Sequence, residues 1–150
     1  MPSDVDIAHE IAQIFAALES LHEKGLPGAR ANKVRREVIH FLWEIRAEAK
    51  FSQSRPHSLL ARAYRESGAK DELTYEHSIP LATIMPRLRS AAGDGAAMLD
   101  LLKRYVQPVI VLKSESKLLA SAGLNASLPL DALDDDRRSR YLACGIAIET

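Results

Sequence analysis

Apolar residues recur at helical spacing along the N-terminal part of the chain. A first helix is predicted from a cap at Ser3 or Asp4 to about Lys24, because one apolar stripe runs through it. The stripe consists of Ile7, Ile11, Ile14, Phe15, Leu18 and Leu21. Asn32 is expected to cap a second helix that ends near Lys50 and has an apolar face of its own. That face consists of Val34, Val38, Phe41, Leu42, Ile45 and Ala49.

Two short stretches have a different pattern and are predicted as strands. Residues 73–76 include Thr74 and Tyr75, which favour extended backbone, and Pro80 favours the same conformation in the residue before it. Residues 108–112 are a mostly β-branched run behind a proline. Shorter helices are expected at residues 59–66, 81–92, 95–105, 115–122 and about 134–144. The predicted fold class is therefore α+β, mostly helical, with a small two-stranded sheet and a helix that follows it.

The composition is that of an ordinary globular chain. The 150 residues are 47% apolar and 27% charged, which is enough for one hydrophobic core. We expect a single domain, 1–150, with a helical N-terminal part at 1–70 and a second part at 71–150. The one cysteine, Cys144, excludes an internal disulfide and a CxxC zinc knuckle. No apolar run approaches the roughly 18 residues of a membrane span, and the acidic N-terminus is unlike a signal peptide. These features predict a cytoplasmic protein without a membrane partner.

Charge is unevenly distributed although the formal net charge is zero, with 20 basic and 20 acidic residues. Residues 1–29 have a net charge of −4, residues 30–104 of +5 and residues 105–150 of −1. Arginine outnumbers lysine, and its planar guanidinium suits phosphate. A mildly basic middle is compatible with a nucleic-acid partner, and it is equally compatible with a solvated helical surface.

The most informative stretch is Glu-His-Ser-Ile-Pro-Leu at residues 76–81, where the first predicted strand ends. It resembles the first motif of the HNH (His-Me finger) endonucleases, with Glu in place of the usual Asp. Residues 109–115 resemble the second strand of that family and the start of its metal-binding helix. The resemblance covers residues 73–122, so that 71–150 is the HNH-like part of the chain and its expected fold is ββα-metal-like.

The resemblance implies a metal-dependent nuclease that hydrolyses phosphodiester bonds of DNA or RNA. His77 would be the general base and Glu76 a ligand of a divalent ion such as Mg, Mn or Zn. The chemistry is sound, since a neutral imidazole accepts a proton near pH 7 and a carboxylate offers hard oxygen. The family usually takes a second ligand, His or Asn, from the helix after the second strand. Here Glu115 is the one good ligand on that helix, and it can serve the helix N-terminus instead.

Geometry sets one condition on this site. Side chains alternate along a strand, so Glu76 and His77 point apart unless the chain turns at the strand end. Four basic residues flank the proposed site and are expected to contact phosphate, unless they are ordinary solvated charges. They are Arg87, Arg89, Lys113 and Lys117.

Two other functions stay open. The chain can be a non-catalytic nucleic-acid-binding or regulatory module with a degenerate HNH-like fold, or a helical protein-interaction module in which the motif is accidental. Strands 73–76 and 108–112 would pair in the first of these and not in the second. His57 is expected at the surface in a polar loop, and His40 and Glu44 as an exposed pair one turn apart on a helix.

Overall fold

The structure is a computed structural model that describes residues 1–130 and 136–149. Its elements follow one another along the chain without internal repeats. They are α1 (Asp4–Glu23), α2 (Gly28–Val38), α3 (Leu59–Glu66), β1 (Leu73–His77), α4 (Leu81–Ser90), α5 (Gly95–Tyr105), β2 (Pro108–Leu112), α6 (Lys113–Ser121) and α7 (Ser139–Ala143). The predicted α+β class, mostly helical with a small antiparallel sheet, is confirmed.

The chain divides into two compact units. Unit 1 comprises Met1–Glu48 and Ile84–Arg104, and unit 2 comprises Ala49–Thr83 and Tyr105–Thr150. The chain passes between the units within α4 and again at the end of α5. The predicted single domain with parts at 1–70 and 71–150 stays a prediction.

Unit 1 is helical, and α1 begins where a cap was predicted. The Ser3 side chain accepts the Asp6 backbone N–H at 3.1 Å, and the Asp6 carboxylate accepts the Ser3 N–H at 2.9 Å. The buried side of α1 consists of Ala8, Ile11, Ala12, Phe15 and Leu18. A glycine lets α5 start close to α1, because a Cβ on Gly95 would lie 3.0 Å from the Cα of His9.

The second helix differs from its prediction at both ends. It begins at Gly28 rather than after Asn32, whose side chain instead accepts a hydrogen bond from Arg35 at 2.6 Å. It continues beyond Val38 as a π-helical turn that ends at Glu44, not near Lys50. The local pattern marked an amphipathic helix correctly, but it contained no signal for the wider turn.

The histidine–glutamate pair in that turn is present but not exposed. Nδ1 of His40 lies 3.0 Å from Oε1 of Glu44, whose side chain is fully buried. The prediction of an exposed pair was wrong, because the wider turn directs the carboxylate inward along with Ile39 and Trp43.

Unit 2 is built on the two strands, which pair antiparallel along their full length. The register sets Leu73 opposite Leu112 and His77 opposite Pro108. α6 follows β2 directly and packs on both strands, whereas α3 packs on β2. Two apolar clusters form on the two faces of this sheet. One contains Val109, Val111, Leu119, Tyr141 and Ile146, and the other Ala61, Leu73 and Ile110.

The C-terminal segment returns to this sheet. His57 lies beside Ile110 in a parallel bridge, and Ser58 pairs with Ile148 in an antiparallel one. α7 begins at Ser139, later than predicted, and Asp136 lies before it; Asp134 and Asp135 fall outside the described residues. In the described ranges, none of the helices combines the length and the apolar character needed to cross a bilayer.

Candidate functional site

Glu76 and His77 lie at the end of β1, where they remain paired with β2. Glu76 is opposite Val109, and His77 is opposite Pro108, so the strand stays regular to its last residue. Alternation therefore directs the two side chains to opposite faces of the sheet. The turn that would bring both to one site does not occur within the strand.

The Glu76 carboxylate is engaged on the face that carries α6. Its Oε1 accepts a hydrogen bond from the Ser116 hydroxyl at 2.6 Å, and its Oε2 lies 3.1 Å from the Arg140 guanidinium. The Arg140 side chain is 1% exposed, so this is a largely desolvated ion pair. Breaking such a pair leaves an uncompensated buried charge, which makes Glu76 a fold-stabilising residue.

Arg140 also ties the strand end to the C-terminal segment. It donates to the backbone carbonyls of His77, Ser78 and Leu124, the last at 2.8 Å. The contact between Arg140 and Glu76 spans 64 positions of the chain. Sequence analysis missed Arg140 because no local pattern marks a partner so far away.

Tyr141 closes the same network beside Arg140. Burial is the main cause that raises the pKa of the Tyr141 phenol to about 12, and the carboxylates of Glu76 and Glu115 raise it further. The phenol therefore stays protonated and can donate to the His77 carbonyl, at 3.3 Å. This residue too was missed, since its apolar surroundings read as ordinary core.

Glu115 serves the N-terminus of α6, the second of the two roles that its position suggested. Its Oε1 accepts the Leu112 backbone N–H at 2.9 Å and the Ser58 hydroxyl at 2.5 Å. The residue is 4% exposed. Both contacts position the start of α6 on the sheet and use lone pairs that a metal ion would need.

His57 is fully buried, so its expected surface position was wrong. It lies beside β2 in the sheet, where its ring Nδ1 is 2.6 Å from the Arg55 carbonyl and its backbone N–H donates to Glu149 at 2.8 Å. Burial lowers the pKa of His57, because the protonated ring would lose its hydration. A polar sequence context did not reveal that this loop is the edge of the sheet.

The residues proposed for metal binding do not fit a metal ion in this arrangement. Glu76 and His77 are on opposite faces, and both carboxylates are bonded to protein donors. Within residues 1–130 and 136–149, no three His, Cys, Asp or Glu side chains are grouped so as to hold a cation. The roles of Glu76 and Glu115 as ligands stay predictions.

The four basic residues predicted to contact phosphate are divided between the units. Lys113 and Lys117 are exposed, one turn apart on α6 in unit 2. Arg87 and Arg89 belong to the unit 1 part of α4, where Arg89 donates to Glu19 at 2.7 Å. α6 therefore offers the one pair of these cations that lies beside the sheet in unit 2.

The face of β1 opposite Glu76 carries aromatic rings. The His77 ring is half-buried, and its centroid is 5.6 Å from that of Tyr75, which is 6.3 Å from that of Phe51. Lys50 brings its Nζ within 5.7 Å of the Phe51 ring centroid and 5.4 Å of the Tyr75 centroid. This face combines ring surface with positive charge. Comparison of the chain with protein-family models, with curated proteins and with solved structures gives no match.

Proposed function

We propose that unit 2 is a nucleic-acid-binding module on a ββα arrangement, in which Glu76 and Glu115 stabilise the fold. One observation carries the proposal: β1 pairs with β2, α6 follows directly, and both Glu76 oxygens are bonded within the protein. The element order agrees with the HNH-like resemblance of residues 73–122. The carboxylate bonds favour binding over metal-dependent hydrolysis.

The cations on α6 are the proposed phosphate contacts. Lys113 and Lys117 are exposed on successive turns, so that both can approach a backbone with closely spaced negative charges. Contacts of this kind give affinity without sequence preference and release counterions. Binding should therefore weaken steeply as the salt concentration rises.

A salt titration tests this function. Wild-type protein should bind a fluorescent oligonucleotide at low salt, and Lys113→Gln/Lys117→Gln should make the slope of log K against log salt shallower by roughly 0.7 per lost contact on a single strand. Lys24→Gln/Lys33→Gln removes two exposed lysines from unit 1 and is the matched control. Absence of binding by the folded protein at low salt would contradict the proposal, as would equal slopes for the two double variants.

Hydrolysis is a second candidate, favoured by the half-buried position of the His77 ring at the strand end. A side chain there can reach both solvent and a bound phosphate. A cleavage assay on plasmid, single-stranded DNA and RNA with Mg²⁺, Mn²⁺ or Zn²⁺ separates the candidates. Metal-dependent cutting that His77→Ala abolishes would support hydrolysis, and intact substrates under all conditions would support binding alone. The cytoplasmic location stays a prediction.

A further inference from the structure

The aromatic side of β1 has an organised edge. We call Phe51, Tyr75 and His77 the aromatic row; neighbouring ring centroids in it are 6.3 Å and 5.6 Å apart. Phe51 is at the open end and is 40% exposed, whereas Tyr75 and His77 are half-buried. The row therefore presents one accessible ring face backed by two others.

Buried arginines hold the backbone under the exposed ring. Nε of Arg55 donates to the carbonyl of Ala49 at 3.2 Å and to that of Lys50 at 2.9 Å, and Arg65 donates to the Phe51 carbonyl at 2.5 Å. Arg55 is 4% exposed and Arg65 9%. Phe51 is thus an exposed aromatic residue on a fixed support, which reduces the entropy lost when a ligand covers it.

Positive charge accompanies the rings. Lys50 is exposed and lies over both Phe51 and Tyr75, and the Arg55 guanidinium is 5.4 Å from the Tyr75 ring centroid. Exposed aromatic faces beside cations are the arrangement with which proteins bind single-stranded nucleic acid, by stacking on bases and attracting the backbone. A duplex offers no free base faces along its length.

We propose that the aromatic row and Lys50 bind the unpaired bases of single-stranded DNA or RNA, with a base stacked on Phe51. This rests on the proposed function, of which it specifies the ligand. Because every base has a π face, the site selects strandedness rather than sequence. Lys50 lies close enough to the rings to attract the phosphate next to a stacked base.

Fluorescence anisotropy of the full chain tests the proposal. The probes are a labelled 15-nucleotide oligo-dT, an oligo-U of the same length and a duplex of the same length, all at low salt. Phe51→Ala should weaken binding of both single strands about tenfold, the size that one stacked base supplies, and should change duplex binding little. Phe51→Trp should restore the affinity, because it replaces the stacking surface.

The matched control is Phe41→Ala, which removes another exposed phenylalanine, 59% accessible, from unit 1. It should leave binding within twofold. Equal affinity for single strands and duplex, with Phe51→Ala no weaker than Phe41→Ala, would overturn the single-strand site while leaving nucleic-acid binding intact. Failure of all three probes to bind the wild type would overturn the proposed function as well.

Discussion

The two faces of β1 use neighbouring residues in different ways. On one face Glu76 is bonded to Ser116 and to the buried Arg140, so its charge is satisfied inside the protein. On the other face His77 is half-buried and adjoins Tyr75 in a row that ends at an exposed ring. Residues adjacent in a motif therefore need not share a site, because one step along a strand reverses the face.

This difference separates stability from ligand binding. The Glu76 face joins β1 to α6 and to the C-terminal segment through long-range contacts, so substitutions there should act on folding. The His77 face contributes accessible surface, so substitutions there should act on binding. The following changes break or sharpen that contrast, from the largest expected effect to the smallest.

Arg140→Met should give the largest loss, about 3–5 kcal/mol in the free energy of unfolding, because it leaves Glu76 without its charge partner and frees three carbonyls. Urea unfolding followed by circular dichroism measures it. Adding Glu76→Gln to Arg140→Met should cost less than the sum of the single changes, since the charge left unpaired is then removed. Strict additivity would show that the two side chains do not interact.

Glu115→Ala should lower the free energy of unfolding by about 2 kcal/mol. The change removes the acceptor of the Leu112 N–H and leaves the buried Ser58 hydroxyl without its partner. Ser114→Ala, at an exposed neighbouring position, should stay within about 0.5 kcal/mol and is the control in the same urea experiment. Comparable losses in both variants would contradict the capping role.

His57 should make stability depend on pH. Because burial lowers the pKa of His57 in the folded protein, the unfolded chain binds more protons once the pH falls below about 6.5. The free energy of unfolding should therefore decrease with falling pH, by at most about 1.4 kcal/mol per pH unit. Urea unfolding at pH 7.5, 6.5 and 5.5 measures the slope.

His57→Asn should flatten the dependence on pH in this range. Carboxyl groups whose pKa is lowered, such as that of Glu149, lose their contribution only at more acidic pH. A slope that is unchanged in His57→Asn would assign the effect to other groups.

His77→Ala should change the free energy of unfolding least, by less than about 1 kcal/mol, because the ring is half-buried and lies at a strand end. The backbone carbonyl that Arg140 and Tyr141 contact is retained in this variant. A loss as large as that of Arg140→Met would contradict the division between the faces.

Local patterns were sufficient for much of the fold. The β-branched run of β2, the Ser3 cap and the segment 59–66 form the predicted elements, because short-range sterics and hydrogen bonds determine them. The start of the second helix was misplaced at Asn32, since an Asn inside a first turn can bond a nearby side chain instead of capping. The π-helical turn had no counterpart in the periodicity.

The site was less predictable, because its contacts join distant segments. Glu115 meets Ser58 across 57 positions, and Arg140 meets Ser78 across 62. Composition around His57 indicated a surface loop, whereas the sheet buries that residue by pairing it with Ile110. Polar residues at such positions are recognisable only once the topology brings their partners together.

The most direct test of this account is a paired comparison of Glu76→Gln and His77→Ala in which urea stability and affinity for a labelled single-stranded oligonucleotide are measured on the same samples. We expect Glu76→Gln to lose about 2 kcal/mol of stability, by leaving Arg140 without its charge partner, and to keep its affinity within twofold. We expect His77→Ala to weaken binding several-fold at nearly unchanged stability. Full stability of Glu76→Gln, together with loss of a metal-dependent activity, would contradict the account and make Glu76 a metal ligand.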